Sequence, residues 1–238
     1  MRALILRHDP GSVPGLLGEA LADRGFELVV QNMGRSVFDG TFTDPFPDPT
    51  GFDVVVPMGA TWSINDESQV GTWIEREINL LRTADAEQVP VLGVCFGAQA
   101  LAAAHGGQVF RAGTPEIGFG EVESLDPARL PPGPWMQWHY DVFTLPDGAE
   151  LLAVTDTGPQ AFVLRRNLAL QFHPEVTVQM IDDWLSLDPA GAKAGLDELG
   201  LDAEELREQA ATNARRQRTD IDRILDWWLA DAGLETVD

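Results

Sequence analysis

The chain has 238 residues, enough for one large domain or two small ones. Hydrophobic residues make up 44% of it and charged residues 23%, proportions typical of a globular protein with a sizeable core. Its 16 basic and 38 acidic side chains give a net charge of −22. This balance argues against DNA, RNA or an anionic membrane surface as the main partner, because phosphate binding needs a basic surface.

The apolar segments and the cysteine count indicate a cytoplasmic protein. The first apolar run, residues 3–6, is too short for a signal peptide, and no segment approaches the roughly 20 apolar residues of a membrane span. Cys95 is the only cysteine, which excludes an intramolecular disulfide and any site with several cysteine ligands. We expect no metal and no cofactor.

Apolar runs alternate with helical periodicities along the first part of the chain. The predicted strands are 3–6, 26–30, 53–56 and 89–94, and the predicted helices are 16–21, 73–81 and 98–104. Such alternation is typical of an open, mostly parallel sheet with helices on both faces.

The pattern changes after residue 107. Short strand-like runs at 120–123, 151–154, 162–164 and 168–172 are separated by turn clusters and predict a meander that continues the same domain. The tail has helical periodicity over 176–187 and from about 202 to 229. We therefore predict a domain over 1–190 and a helical extension over 191–238 that packs on it.

The chemistry is expected at Cys95, which stands between Gly93 and Gly97 where an apolar strand meets a helix. This is the pattern of a nucleophile elbow, whose sharp turn leaves no room for neighbouring side chains. The helix N-terminus would stabilise a thiolate, and the N–H of Phe96 is placed to be one oxyanion donor. The alternative is a small buried hydrophobic residue.

A second motif favours the catalytic interpretation. The apolar run 168–172 ends in His173 and, two residues further on, Glu175. Glu175 can accept a hydrogen bond from one imidazole nitrogen while the other nitrogen faces a thiol. Together with Cys95, these residues predict a Cys-His-Glu triad.

Three segments, 90–99, 106–107 and 171–175, resemble the class I (triad-type) glutamine amidotransferase family, and in particular the glutaminase domain of GMP synthase and its stand-alone relatives. The resemblance implies a flavodoxin-like fold and hydrolysis of the glutamine side-chain amide. It also implies that Cys95 is the nucleophile, His173 the general base and acid, and Glu175 its orienting partner. Gln99 would contact the substrate glutamine.

The resemblance also implies a second oxyanion donor from the turn after the third strand. Here Ala60 stands where the family usually has a second glycine, and Thr61 where it has proline. Counting from Met58 instead makes Gly59 the donor, so Gly59 and Ala60 remain alternatives. In the segment 138–141, Trp138 and His139 are expected to be further substrate contacts.

The sequence is compatible with three functions. The first is an amidotransferase subunit that hydrolyses L-glutamine and gives ammonia to a synthase on another chain; the sequence contains no ATP-binding P-loop. The second is a stand-alone γ-glutamyl hydrolase acting on a γ-glutamyl amine or peptide. The third is a non-catalytic binding homologue, against which an intact triad counts.

His8, after the first strand, is expected to be a turn histidine rather than part of the site.

Overall fold

Ten strands, seven α-helices and one short 3-10 helix (Pro49–Gly51) are found in the computed structural model, which describes residues 1–34 and 36–234. The strands are β1 (Arg2–Arg7), β2 (Glu27–Asn32), β3 (Val54–Pro57), β4 (Leu92–Val94), β5 (Val109–Gly120), β6 (Glu123–Ser124), β7 (Trp135–Phe143), β8 (Glu150–Thr155), β9 (Gly158–Leu164) and β10 (Asn167–Leu170). The helices are α1 (Gly15–Asp23), α2 (Glu67–Val70), α3 (Ile74–Ala86), α4 (Phe96–Ala104), α5 (Val178–Leu187), α6 (Pro189–Leu199) and α7 (Ala203–Asp231).

The main sheet is parallel at one side and antiparallel at the other. Strands β2, β1, β3, β4 and β10 run parallel in this order, with β3 joined to β4 through the bridge between Val55 and Val91. Strands β9, β8 and β6 extend it in antiparallel fashion. Strands β5 and β7 form a separate antiparallel ribbon. The predicted flavodoxin-like α/β sheet is confirmed.

The central strands are buried on both faces because helices cover both. In β1, Ala3 and Ile5 join one core cluster, and Leu4 and Leu6 join another on the opposite face. Helices α1 and α7 contribute to the first cluster, and α3 and α4 to the second. A strand with apolar side chains on both faces reads as a continuous apolar run, which explains why these strands were recognisable in the sequence.

The predictions for the second half were less complete. The ribbon strands β5 and β7 were not predicted, and the run 120–123 spans the end of β5 and the start of β6. Much of β5 is exposed or half-buried, and its register shifts between Arg111 and Glu116, so it lacks a regular apolar alternation. Helix α6 was also missed, and the predicted boundary at residue 190 falls inside it.

The C-terminal helix α7 packs against α1 and the sheet. Its residues Ile224, Leu225 and Trp228 belong to the same core cluster as β1, and the indole N–H of Trp228 donates to the carbonyl of Arg166 at 2.9 Å. Arg24 of α1 forms an ion pair with Asp222 of α7 at 2.7 Å. Over residues 1–34 and 36–234, no helix is both long enough and apolar enough to cross a membrane.

Candidate active site

A pocket of about 520 Å³ lies beyond the carboxyl ends of β3, β4 and β10. Strand β10 pairs in parallel with β4, matching Leu168 to Leu92 and Leu170 to Val94, so both strands end at the same edge. Cys95 follows β4 directly, and His173 follows β10 after a two-residue link. Ligands bind at this edge in open α/β sheets, and the topology brings the two predicted motifs together there.

Cys95 occupies a strained turn between β4 and α4. Its φ of 50° and ψ of −106° are unusual for a residue with a side chain. A Cβ on Gly97 would stand 2.0 Å from the carbonyl oxygen of Pro57, and one on Gly93 would stand 2.5 Å from the oxygen of Gly97. Both glycines are therefore required by close backbone approach, as the elbow pattern predicts.

His173 and Glu175 lie in the wall of the pocket and are held there by hydrogen bonds. The backbone N–H of His173 donates to the carbonyl of Met136 at 2.7 Å, and its ring Nδ1 lies 2.8 Å from Glu175 Oε1. Both side chains are buried, and His173 lines the pocket. Its Nε2 has no hydrogen-bond partner in the described part of the chain. Nδ1 is thus held by the Glu175 carboxylate, whereas Nε2 is available to a ligand in the pocket.

The charge of the imidazole is set by its neighbours. Burial by itself lowers the pKa of His173, but the interactions with Glu175 and Cys95 outweigh it, so this pKa is raised well above its ordinary value of 6.5. His173 therefore favours its protonated form.

The position of Gly59 shows how close Cys95 and His173 lie to the loop after β3. A Cβ placed on Gly59 would lie 3.2 Å from His173 Cε1 and 3.8 Å from Cys95 Cβ. Cys95, His173 and the loop after β3 therefore meet at one corner, and any larger side chain at position 59 would fill it. Phe96, Gly59 and Ala60, the predicted oxyanion donors, all line the same pocket.

The three residues predicted as substrate contacts also line this pocket. Gln99 is buried, and its Nε2 lies 3.2 Å from both the carbonyl of Asp141 and Gln171 Oε1. The carbonyl of Trp138 is 4.0 Å from Cys95 Sγ. The last contact places the Trp138 backbone beside the sulfur, whereas Gln99 is held by Asp141 and Gln171 in the wall of the same pocket.

His139 is fixed from two sides. Its Nδ1 is 3.1 Å from the carbonyl of Asp141, and its Nε2 is 3.2 Å from Glu116 Oε2. Burial alone would raise the pKa of Glu116, but interactions with His139, Thr155 and Gln160 lower it, so this carboxylate stays charged.

Several pocket residues were not identified from the sequence. Trp184 of α5 lies with its ring centroid 5.0 Å from that of His173 and donates its indole N–H to the carbonyl of Gly11 at 2.9 Å. The carboxylate of Asp141 accepts from Ser63 Oγ, and Arg111 lies 3.9 Å from it. Asp141 belongs to the segment 138–141, which the sequence analysis had already singled out. By contrast, no local pattern in α5 indicates which of its faces covers the pocket.

His8 differs from the prediction of a simple turn histidine. Its side chain is fully buried behind the loop after β3 and does not line the pocket. It contacts the carbonyl of Gly59 and the carboxylate of Glu77. Among the described residues there is no group of three or more histidine, cysteine or acidic side chains arranged to hold a metal ion.

An open α/β sheet with a pocket at the carboxyl edge of its parallel strands, lined here by Cys95 and His173, defines a flavodoxin-like fold. The family model of class-I glutamine amidotransferases matches residues 64–185, about half of the chain. The chain therefore belongs to the class-I glutamine amidotransferase family.

Individual relatives agree with this assignment. GMP synthase (glutamine-hydrolyzing) of Methylococcus capsulatus is 34% identical over 158 residues, which cover 58% of this chain and 30% of that protein. The protein of the same name from Aeropyrum pernix is 42% identical over 112 residues, covering 41% of this chain and 22% of that one. The chain thus spans less than a third of the length of these curated relatives.

Solved structures match over nearly the whole length. A glutamine amidotransferase structure from Methylobacillus flagellatus has a TM-score of 0.83 and 25% identity, covering 100% of this chain and 96% of that one. A second, from Thermotoga maritima, has a TM-score of 0.82 and 23% identity, with 96% and 98% coverage. The fold therefore extends through α7.

Proposed function

We propose that the protein hydrolyses the side-chain amide of L-glutamine to glutamate and ammonia, with Cys95 as nucleophile, His173 as acid and base, and Glu175 as its orienting partner. The observation that carries the proposal is the meeting of a strained Cys95 with the His173–Glu175 pair at one corner of the pocket. Free structural cysteines have no need of a strained turn or of a buried imidazole beside them.

In the first step, the Cys95 thiolate attacks the amide carbon, and the carbonyl electrons move to oxygen. The N–H of Phe96 and a second N–H from Gly59 or Ala60 stabilise this oxyanion. Losing one such donor would cost about 3 kcal/mol of transition-state stabilisation. Protonated His173 then donates from Nε2 to the nitrogen, the C–N bond breaks, and ammonia leaves a γ-glutamyl thioester on Cys95.

In the second step, water attacks the thioester while neutral His173 accepts its proton. The C–S bond breaks, glutamate leaves, and the thiolate–imidazolium pair is restored. Glu175 keeps Nδ1 protonated throughout, so that Nε2 is always the nitrogen that exchanges protons with the reacting groups.

We further propose that the ammonia is consumed by a synthase on another chain. The supporting observation is the length of the relatives: proteins named GMP synthase (glutamine-hydrolyzing) match this chain over less than a third of their own length. In the proposed complex, a synthase domain binds the acceptor that takes up the ammonia. Weak basal activity that rises with a partner is then expected.

A second candidate is hydrolysis of a γ-glutamyl amine or peptide, and the size of the pocket favours it. The cavity of about 520 Å³ continues from Cys95 to Leu187, Asp188 and Gly195 of the α5–α6 region, and lies in the range of sites for drug-sized ligands. The amine portion of a larger γ-glutamyl substrate would fit there.

The test measures glutamate and ammonia released from L-glutamine and from a γ-glutamyl amine by the purified protein. We expect release from glutamine, and a loss of at least about 10³-fold in Cys95→Ser and in His173→Gln. The matched control is His105→Gln, at a half-buried histidine outside the pocket, which should keep its activity.

The outcomes separate the candidates. Activity on the γ-glutamyl amine at a higher kcat/KM than on glutamine would assign the second function. Release that persists in Cys95→Ser would overturn the triad. No release from either substrate, with no labelling of Cys95 by a glutamine-mimicking alkylator, would favour a binding homologue.

A further inference from the structure

A buried histidine and glutamate lie directly behind the candidate oxyanion hole. His8, at the end of β1, and Glu77, on α3, are both fully buried. His8 Nε2 is 3.0 Å and 3.1 Å from the two carboxylate oxygens of Glu77, and His8 Nδ1 is 3.0 Å from the carbonyl oxygen of Gly59. Neither residue lines the pocket, so neither has a role in binding substrate directly.

The hydrogen bonds of this pair fix its protonation. A carbonyl oxygen can only accept, so His8 Nδ1 must donate to Gly59. A carboxylate also accepts, so Nε2 donates to Glu77 and the ring carries both protons. Burial lowers the pKa of His8, but the charge and hydrogen bond of Glu77 outweigh it and raise this pKa above 6.5. The pair is therefore a buried imidazolium–carboxylate pair with well-defined directions.

The same ring contacts the other side of the site. The His8 ring lies 4.8 Å from that of Phe96 and stacks on Trp73 at 5.5 Å with an interplanar angle of 15°. Phe96 carries the first candidate oxyanion donor, and Gly59 belongs to the loop that carries the second. One side chain thus touches both halves of the candidate oxyanion hole.

Peptide geometry shows what the bond to Gly59 does. The Gly59–Ala60 peptide is trans, so its N–H points opposite to its C=O. Because the Gly59 carbonyl points inward to His8, the N–H of Ala60 points outward, and Ala60 lines the pocket. The preceding carbonyl, that of Met58, accepts from Gly97 N–H at 3.0 Å, so the N–H of Gly59 points away from α4.

We infer that His8 and Glu77 are positioning residues that fix the Gly59–Ala60 peptide with the Ala60 N–H turned toward Cys95. This inference rests on the proposed function, because it gives Ala60 the part of the second oxyanion donor. The Ala60 N–H makes no hydrogen bond within the described residues, as a donor reserved for a ligand requires. On the far side of the loop, Thr61 N–H is held by Asp9 Oδ2 at 2.8 Å.

The test compares two substitutions of His8: one keeps the hydrogen bond to Gly59, and the other keeps only the hydrogen bond to Glu77. In His8→Asn, the side-chain amide nitrogen replaces Nδ1 and can still donate to Gly59; in His8→Gln, it reaches only toward Glu77. We expect kcat for glutamine to fall by about 10- to 100-fold in His8→Gln, less than the roughly 10²- to 10³-fold cost of deleting a donor. His8→Asn should recover several-fold of this loss, and KM should change little in both.

Two further readouts separate positioning from general damage. Alkylation of Cys95 by iodoacetamide forms no oxyanion, so its rate should stay within about two-fold of wild type in His8→Gln. Amide hydrogen exchange of residues 58–61 should speed up in His8→Gln and much less in His8→Asn. Glu77→Gln should behave like a milder His8→Gln, and His105→Gln serves as the matched control with no change.

The inference is overturned if His8→Gln keeps its kcat, if the Asn and Gln variants lose it equally, or if the iodoacetamide rate falls in parallel with kcat. If the wild-type protein hydrolyses no glutamine, the proposed function fails, and the exchange experiment still decides the role of the pair. Unchanged exchange at 58–61 in His8→Gln would then overturn the inference, and faster exchange would support it.

Discussion

At the scale of single residues, the proposed reactivity of the site depends on how Glu175 sets the charge of His173. The Glu175 carboxylate lies 2.8 Å from His173 Nδ1 in a buried environment, where its negative charge stabilises the protonated ring. This interaction keeps the pKa of His173 raised although burial alone would lower it. In the proposed mechanism, His173 therefore remains the proton donor for the departing ammonia at neutral pH.

Glu175→Gln should change the pH profile of the reaction. Removing the negative charge lowers the pKa of His173, so the imidazolium loses its proton at a lower pH. We expect the alkaline limb of the kcat/KM profile to move to lower pH, in addition to a lower maximum. The exposed Glu208→Gln on α7 is the matched control and should leave the limb in place. An unmoved limb in Glu175→Gln, or one at higher pH, would contradict this account.

The sequence predicted some of these residues and not others for a physical reason. Cys95, His173 and Glu175 lie in short local motifs whose spacing already implies their chemistry. His8 and Glu77 lie on different elements and have no shared local pattern, so only the packing of α3 against the end of β1 brings them together. The contact between His8 and Glu77 therefore could not be predicted from the sequence.

At the scale of elements, the elbow between β4 and α4 depends on close contact with the end of β3. A Cβ at Gly97 would stand 2.0 Å from the carbonyl oxygen of Pro57, a contact that only a backbone shift can relieve. The N–H of Gly97 also donates to Met58, which ties α4 to the candidate oxyanion loop. Moving α4 would thus displace Cys95 and this loop relative to each other.

Gly97→Ala should therefore lower both stability and activity. Alanine favours a helix by up to about 1 kcal/mol over glycine, but the clash outweighs this gain, and we expect a net loss of about 1–3 kcal/mol in the free energy of unfolding. Urea denaturation measures it. The matched control Gly113→Ala has open space around the added Cβ and should change stability by less than about 0.5 kcal/mol. Wild-type stability and kcat in Gly97→Ala would refute the argument.

Predictability also differed between elements. The buried strands β1, β3 and β4 are recognisable as apolar runs, whereas the ribbon strand β5 is irregular and mostly exposed or half-buried. Helix α6 carries little apolar periodicity, but its ends have clear signals: Asp188 accepts from Gly191 N–H at 3.0 Å, proline follows at the first helical position, and Gly200 ends the helix with φ of 67°. Those signals were available in the sequence.

At the scale of the whole molecule, the order of strands in the sheet creates the site. The alternation of strands and helices predicted the fold class, but it did not predict that β10 inserts beside β4. This pairing is what places His173 next to Cys95, and it is a long-range contact that local patterns do not encode. The expectation that the two motifs meet came from the residue types in them, and the resemblance to a known family agreed with it.

The remaining whole-molecule feature is the C-terminal part of the fold. Helices α5 and α6 form the outer wall of the pocket, and α7 packs on α1, so we propose that residues 191–234, the described part of the predicted extension, act as part of one unit with the domain before them. In this arrangement, Trp184 packs edge-on against His173, and Leu187 lines the same pocket.

The most direct test of the account is to look for the covalent intermediate on Cys95. The protein is mixed with L-glutamine, quenched in acid during turnover and digested, and the peptide containing Cys95 is examined by mass spectrometry. The account predicts a fraction of this peptide heavier by one γ-glutamyl group, and neither adduct nor turnover in Cys95→Ser. Turnover at the wild-type rate in Cys95→Ser, or a γ-glutamyl group attached to another residue, would contradict it.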